Sequence, residues 1–259
     1  MLIKLSLWAV LLNLMMVAVG YTIQKSREEL IVSAAMSLKN VLEAAAKAFE
    51  ADNSAYKVLL NFGASGNLIR QIHGGAPVDI IATASKADMD QIVQKGLAVP
   101  ASRRDIAQNS LVLIVPTQSK LTFGTSGNPI TILNDKSIKR IAIGNPMSAP
   151  VGKYAEEMLR HYGIYGDIKE KLIFCETVRQ VLDYTAREEV DAGIVYSTDA
   201  ALMPRTVRVV ATASEDSHSP VVYSVAMVQM AANTKAAQAF IEFLASEKGR
   251  KIFISHGFK

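Results

Sequence analysis

From Glu29 onward, short apolar runs alternate with longer stretches in which apolar residues recur every three or four positions. The short runs predict buried strands, and the longer stretches predict amphipathic helices. Residues 30–34 predict the first strand, and the apolar positions within 38–51 predict a helix that has Ser37 as its N-cap. Alternation of strands and helices is typical of an α/β protein, which is the fold class we expect.

The same two patterns continue to the end of the chain. Further strands are predicted at 58–62, 78–82, 111–115, 138–143, 172–174, 192–196, 207–211 and 221–230. Further helices are predicted at 67–73, 86–95, 153–161, 178–187, 235–245 and 247–254. Residues 122–134 contain two glycines and one proline and predict a surface loop.

The order of strands and helices after residue 138 repeats the earlier order without repeating its sequence. We therefore expect two α/β lobes, the first formed by 28–109 with 224–259 and the second by 110–223. Two lobes joined by strands are typical of hinged binding proteins, in which the ligand lies in the cleft between the lobes.

Composition excludes several classes of protein. The 259 residues are 50% hydrophobic and 20% charged, as in folded globular proteins. A net charge of +4, spread evenly, is too small to indicate a nucleic-acid partner. The single cysteine, Cys175, excludes an internal disulfide, and the four histidines are too scattered for metal-ligand spacing. We expect no cofactor and no metal ion bound directly by protein side chains.

The N-terminus predicts export. Lys4 precedes an uncharged run, 5–24, that is rich in Leu, Val and Met and has a small-residue step ending at Gly20. This pattern is typical of a signal peptide, here residues 1–20. The alternative is an uncleaved membrane anchor, because the run is 20 residues long. No cysteine near the end of the run offers a site for lipid attachment, which favours the periplasm.

Four predicted helices begin with a small or hydroxyl-bearing turn directly after a strand. These starts contain Ser37, Ser65, Val151 and the pair Thr177 and Val178. A helix start exposes unpaired N–H groups and the positive end of the helix dipole, so it binds anions. One such serine ordinarily only caps its own helix, so the prediction of an oxyanion site depends on all four starts together. Tyr196, which ends a strand, is either a fifth donor or a core tyrosine.

None of these segments carries a lysine or arginine at the loop tip. Lys39, Lys153 and Arg179 fall inside the helices that follow. An anion at this site would therefore be held by dipoles and neutral donors alone. Such a site selects its ligand by size and donor number, and it excludes protonated anions because it offers no acceptor.

Seven segments, in this order and spacing, carry a resemblance to a known family. They are Ala34-Ala35-Met36-Ser37-Leu38, Phe62-Gly63-Ala64-Ser65, Gly74-Gly75-Ala76-Pro77-Val78-Asp79, Asn109-Ser110-Leu111-Val112, Pro150-Val151-Gly152-Lys153-Tyr154-Ala155, Val178-Arg179, and Gly193-Ile194-Val195-Tyr196-Ser197-Thr198-Asp199-Ala200. From about Leu30 to the C-terminus, the chain resembles the periplasmic molybdate-binding proteins of molybdenum ABC importers. The resemblance implies a type II two-lobed periplasmic binding protein fold, with a mainly parallel sheet flanked by helices in each lobe.

The same resemblance implies a tetrahedral molybdate or tungstate in the cleft. Ser37 and Ser65 would donate hydroxyl and backbone N–H bonds from the first lobe. Val151 and Val178 would donate backbone N–H bonds from the second lobe, and Tyr196 its phenol. The family commonly has alanine at the position of Val151, a difference that a backbone donor tolerates. We expect a monomeric receptor that does no chemistry and docks on the membrane permease of an ABC importer.

Three alternatives compete with this interpretation. A hydrolase would need a nucleophile elbow, and the turn 63–66 lacks the Gly-x-Ser-x-Gly spacing. A phosphate receptor would need a carboxylate acceptor, which none of the five positions supplies, whereas sulfate has the charge and shape of molybdate and remains an alternative. A membrane-anchored oxyanion sensor would retain the N-terminal run.

Overall fold

The computed structural model describes residues 27–121 and 129–259, and the strands within these ranges form two five-stranded sheets. The strands are β1 (Glu28–Ala35), β2 (Tyr56–Gly63), β3 (Ile80–Thr83), β4 (Arg104–Gln108), β5 (Leu111–Pro116), β6 (Ile141–Gly144), β7 (Leu172–Cys175), β8 (Ala192–Tyr196), β9 (Val207–Thr212) and β10 (Val222–Met227). The first sheet has the order β2-β1-β3-β10-β4, and the second has the order β7-β6-β8-β5-β9.

Helices flank both sheets. They are α1 (Lys39–Asp52), α2 (Ser65–His73), α3 (Lys86–Gln94), α4 (Pro150–His161), α5 (Tyr165–Ile168), α6 (Val178–Ala186), α7 (Ser197–Ala200), α8 (Thr234–Ala245) and α9 (Glu247–Ser255). Helices α1, α2, α3, α8 and α9 belong with the first sheet, and α4 to α7 with the second. The expected α/β fold with two lobes is confirmed.

Strand register brings the starts of several helices to one edge of each sheet. Strand β1 runs parallel to β2 and β3, and Ala35 at its end pairs with Gly63. Strand β6 runs parallel to β7 and β8, and Gly144 pairs with Cys175. The carboxyl ends of parallel strands are the edge at which open α/β sheets bind ligands.

The chain crosses between the sheets twice. It leaves the first sheet at Asn109 and returns through residues 213–221, and the Asn109 amide donates to the Val221 carbonyl at 3.2 Å. Strands β5 and β10, the first after each crossing, run antiparallel to their neighbours. The residue limits of the lobes stay a prediction, and β10 of the first sheet begins at Val222.

The core follows the apolar pattern of the sequence. All six residues of β5 are buried, as expected for a strand covered on both faces. The Phe49 ring of α1 packs edge-on against Phe240 and Phe243 of α8, with centroids 5.0 and 5.6 Å away. Cys175 is buried.

Three local expectations differ from the structure. Ser37 is not a helix N-cap: it lies in a 3₁₀ turn, Met36–Leu38, and Leu38 precedes α1 without a side-chain cap. Residues 129–134 are not a surface loop, because this stretch is a 3₁₀ helix that buries Ile130 and Leu133. The apolar pattern does not predict strand β4, because its sequence is polar and Ala107 is the one buried residue in it.

The predicted signal peptide or anchor, and residues 122–128 of the predicted loop, lie outside the described residues. Within the described part of the chain, no helix is both long and apolar enough to cross a lipid bilayer.

Candidate functional site

All five predicted site residues line one cavity between the two lobes. Ser37 and Ser65 come from the first lobe, and Val151, Val178 and Tyr196 from the second. Each residue is at most 5% exposed, and the cavity volume is about 20 Å³. The cavity therefore suits a small, compact ligand.

Three helix starts meet at this cavity. Ser65 is the first residue of α2, Val151 is the second of α4, and Val178 is the first of α6. Backbone N–H groups in the first turn of a helix have no acceptor within the helix, and they lie at the positive end of its dipole. The 3₁₀ turn that contains Ser37 forms a fourth wall.

Two glycines hold the start of α4 against the end of β6. A Cβ atom on Gly144 would lie 2.9 Å from the Gly152 nitrogen and 2.6 Å from a methyl carbon of Val151. Any side chain at Gly144 would push Val151 away from its place at the cavity. The Gly-x-x-x-x-x-x-x-Gly spacing from 144 to 152 thus fixes one of the proposed donors.

The two serine hydroxyls each accept a hydrogen bond from the protein. The Ala84 amide donates to Ser65 Oγ at 3.2 Å. The Tyr223 hydroxyl donates to Ser37 Oγ at 3.1 Å. Each serine still has its own proton to donate.

Tyr196 has the least satisfied polar group at the cavity. Its side chain is 1% exposed, and the hydroxyl has no hydrogen-bond partner in the described ranges. Burial raises the pKa of this phenol well above its ordinary value, so it stays protonated and can only act as a neutral donor or acceptor. A buried hydroxyl without a partner costs stability, and Tyr196 is the residue with such a group that lines the cavity among the described residues.

No charged side chain lines the cavity among the described residues. Two ion pairs lie nearby: Lys153 Nζ is 2.7 Å from Asp88 Oδ1, and Arg179 Nε is 2.5 Å from Asp199 Oδ1. In each pair the cation is neutralised by a buried carboxylate. In the described residues, no group of three or more His, Cys, Asp or Glu side chains could hold a metal ion.

Polar contacts join the two lobes around the cavity. The Gly66 amide donates to the Ser148 carbonyl at 3.0 Å, and Arg179 Nη2 donates to Asn40 Oδ1 at 2.9 Å. The Lys153–Asp88 pair also spans the lobes. These contacts show that the structure is a closed arrangement.

Some polar residues next to the site were not predicted from the sequence. Asn109 and Tyr223 form a hydrogen-bond network with Ser37, and Asp88 and Asp199 hold the two nearby cations. Asn109 appeared only inside a segment that carries the family resemblance. Tyr223 lies 186 positions from Ser37, so no local pattern links the two residues.

Comparison with known proteins identifies the family. The model of the family described as bacterial extracellular solute-binding protein matches residues 30–259. The chain belongs to this solute-binding family. Its members are extracytoplasmic components of transport systems rather than enzymes.

Similar members of the solute-binding family are named for molybdate. The molybdate-binding protein ModA of Escherichia coli is 36% identical over 233 residues, which cover 89% of this chain and 88% of that protein. ModA of Haemophilus influenzae is 33% identical over 247 residues, 95% of each chain. A solved structure, named as the substrate-binding domain of a molybdenum ABC transporter from Clostridium difficile, is 35% identical, with a TM-score of 0.67 and coverage of 89% of this chain and 98% of that one.

Proposed function

We propose that this protein captures molybdate outside the cytoplasm and delivers it to the membrane permease of an ABC importer. The observation that carries the proposal is the cavity itself, which combines three helix starts and four neutral hydroxyl-bearing residues from both lobes and, among the described residues, is lined by no charged side chain. The relatives named for molybdate align with this chain over nearly its whole length.

The proposed ligands of the oxyanion are Ser37, Ser65, Val151, Val178 and Tyr196. The serines donate through hydroxyl and backbone N–H groups, the valines through backbone N–H groups, and Tyr196 through its phenol. Hydrogen bonds from neutral donors to a charged acceptor are stronger than those between neutral groups. A dianion that leaves water for this cavity is therefore stabilised without a cationic partner.

The same donor set explains which anions are excluded. Phosphate carries a proton near neutral pH, and that proton favours a carboxylate acceptor, which none of these five residues supplies. Sulfate has the charge and shape of molybdate but is smaller, so it would leave the donors at longer distances. Tungstate has nearly the size of molybdate, and we propose that it binds as well.

Delivery requires that the lobes open and close. The residues around the cavity are buried in the closed arrangement, and the two crossing segments near Asn109 and Val221 act as the hinge that opens it. Ligand contacts with both lobes favour the closed state, which is the form that docks on the permease. The protein does this as a monomer in the periplasm, after export directed by residues 1–20, and it needs no cofactor.

Calorimetric titration of the purified protein with molybdate, tungstate, sulfate and phosphate tests the proposal. We expect tight binding of molybdate and tungstate and no heat from the other two anions. Binding of sulfate with equal affinity would contradict the proposed selectivity, and absence of binding by all four anions would contradict the function. The N-terminal residue of the exported chain, read by mass spectrometry, separates a cleaved receptor from an anchored sensor.

A further inference from the structure

Asn109 has a fixed orientation at the crossing between the lobes. Its Oδ1 atom accepts from the Ser110 backbone amide at 2.9 Å and from the Ser197 hydroxyl at 2.8 Å. A backbone N–H can only donate, so the acceptor must be the carbonyl oxygen of the Asn109 side chain. The other side-chain atom is therefore the nitrogen, which donates to the Tyr223 hydroxyl at 3.2 Å and to Thr198 Oγ1 at 2.8 Å.

This orientation determines the direction of the next hydrogen bond. The Tyr223 oxygen accepts from Asn109, so its only proton is free to be donated to Ser37 Oγ, 3.1 Å away. Tyr223 is fully buried, and burial raises the pKa of its phenol, so the proton is retained. Its ring is held edge-on to Phe258, with centroids 5.2 Å apart.

The chain of donors ends at the cavity. Ser37 Oγ accepts from Tyr223, and the described residues offer no acceptor for its own proton. That proton is therefore available to a ligand. Ser65 is in the same situation, because its Oγ accepts from the Ala84 amide.

We propose that Asn109 and Tyr223 are positioning residues that force the Ser37 hydroxyl to act as a donor toward the bound anion. The proposal rests on the proposed function, since it assigns the direction of the hydrogen bond between Ser37 and the anion at the same site. Neither residue lines the cavity. Their effect passes through Ser37, and it disfavours anions that carry a proton.

A double-mutant cycle tests the proposal. Tyr223→Phe keeps the buried ring and removes the hydroxyl, which frees Ser37 to rotate or to accept. We expect the molybdate affinity to fall about two- to tenfold in the wild-type background and to change little in the Ser37→Ala background. An equal loss in both backgrounds would overturn the proposal, because Tyr223 would then act through packing alone.

Selectivity gives a second readout that a purely structural role would not change. At mildly acidic pH phosphate always carries a proton, and in Tyr223→Phe the Ser37 oxygen no longer accepts from Tyr223, which makes it a better acceptor for a hydrogen bond from the phosphate O–H. We expect the ratio of molybdate to phosphate affinity to fall in Tyr223→Phe. The matched control is Tyr56→Phe, whose ring stacks on Phe49 and which is not a cavity residue; it should leave both affinities unchanged.

A second variant covers the case in which Tyr223→Phe does not fold. Asn109→Asp has nearly the same shape and still accepts from Ser110 and Ser197. Its second oxygen, however, accepts a hydrogen bond from the Tyr223 hydroxyl, so Tyr223 no longer donates to Ser37 and Ser37 donates to Tyr223 instead. The added negative charge lowers the molybdate affinity in both backgrounds, whereas the effect through Ser37 is present only in the wild-type background. We therefore expect a larger loss of affinity in the wild-type background than in the Ser37→Ala background. Equal losses would contradict the proposal.

A protein that bound sulfate instead of molybdate would refute the proposed function, and the same cycles measured with sulfate would still decide the role of Tyr223.

Discussion

At the scale of single residues, we propose the Tyr196 hydroxyl as a donor to the ligand because its burial otherwise costs stability. Its hydroxyl is buried without a partner, although an unpaired buried hydroxyl lowers the free energy of unfolding. The aromatic ring packs against Tyr223, with centroids 6.1 Å apart, so the ring is needed for the core whereas the hydroxyl is not. The proposed role in ligand binding therefore explains the hydroxyl, whereas packing explains the ring.

Tyr196→Phe should separate binding from stability. Loss of a neutral donor to a charged ligand should lower the molybdate affinity about tenfold to a hundredfold, whereas the free energy of unfolding of the ligand-free protein should not fall. Calorimetry and denaturant unfolding measure the two quantities. Tyr184→Phe is the matched control, because its hydroxyl accepts from Gln180 and it is not a cavity residue. A large loss of stability with unchanged affinity in Tyr196→Phe would show that Tyr196 is only a core residue.

Asp199 predicts how stability depends on pH. Burial raises the pKa of its carboxyl from 3.8 to about 6, although Arg179 acts in the opposite direction. Because the folded state binds this proton more tightly than the unfolded state, the contribution of Asp199 is fully present below about pH 4 and is lost as the pH rises through about 6.

Asp199→Asn removes that titration, so the difference in free energy of unfolding between wild type and variant should change between about pH 4 and about pH 6. The wild type should lose stability relative to the variant over this range. Denaturant unfolding at a series of pH values measures the difference. A constant difference across the range would mean that the Asp199 carboxyl does not titrate there.

At the scale of secondary-structure elements, the apolar pattern was sufficient where a strand or helix buries a continuous face. Strand β8 and helix α6 begin where the sequence predicts, at Ala192 and Val178. Strand β4 could not be found in this way, because its one neighbouring strand in the described ranges is β10 and most of its side chains are exposed. The 3₁₀ helix Pro129–Asn134 is not predicted because the glycines and the proline of this stretch indicate a loop. Its two buried residues, Ile130 and Leu133, are three positions apart and lie on one side of the helix.

The candidate site was predictable to the extent that it is made of helix starts. Ser65 and Val178 begin α2 and α6 directly after the turns that follow β2 and β7. Ser37 lines the cavity, but the helix-cap argument that pointed to it is wrong, since it caps no helix and instead accepts from Tyr223. Partners such as Asn109 and Tyr223 depend on contacts between residues 114 positions apart, which only the folded chain reveals.

At the scale of the whole molecule, a few backbone contacts determine how closely the lobes approach. The first turn of α2 meets the segment before α4 where the Gly66 amide donates to the Ser148 carbonyl. A Cβ atom on Gly66 would lie 2.8 Å from that carbonyl oxygen, which is closer than a carbon atom can normally approach. A side chain at this position would therefore keep the lobes apart.

Gly66→Ala should weaken closure without weakening either lobe. Alanine suits the helical position, so the stability of the ligand-free protein should not fall. The affinity for molybdate should fall about tenfold or more, since overpacking at a tight contact typically costs 1–3 kcal/mol. Small-angle scattering should show less compaction on addition of molybdate than in the wild type.

The matched control for closure is Gly166→Ala, on an exposed helix of the second lobe where an added Cβ meets nothing within 4 Å. It should leave both affinity and compaction unchanged. If Gly66→Ala bound molybdate as tightly as this control, the contact between Gly66 and Ser148 would not limit closure.

We propose that a tetrahedral dianion is held between the lobes by neutral donors alone. The most direct test is a crystal structure of the protein with molybdate, in which anomalous scattering locates the molybdenum atom. We expect one molybdenum position in the cavity, with its oxygens within hydrogen-bond distance of Ser37, Ser65, Val151, Val178 and Tyr196 and beyond that distance from any lysine or arginine. A molybdenum atom outside this cavity, or one whose oxygens are bound by a cationic side chain, would contradict the claim.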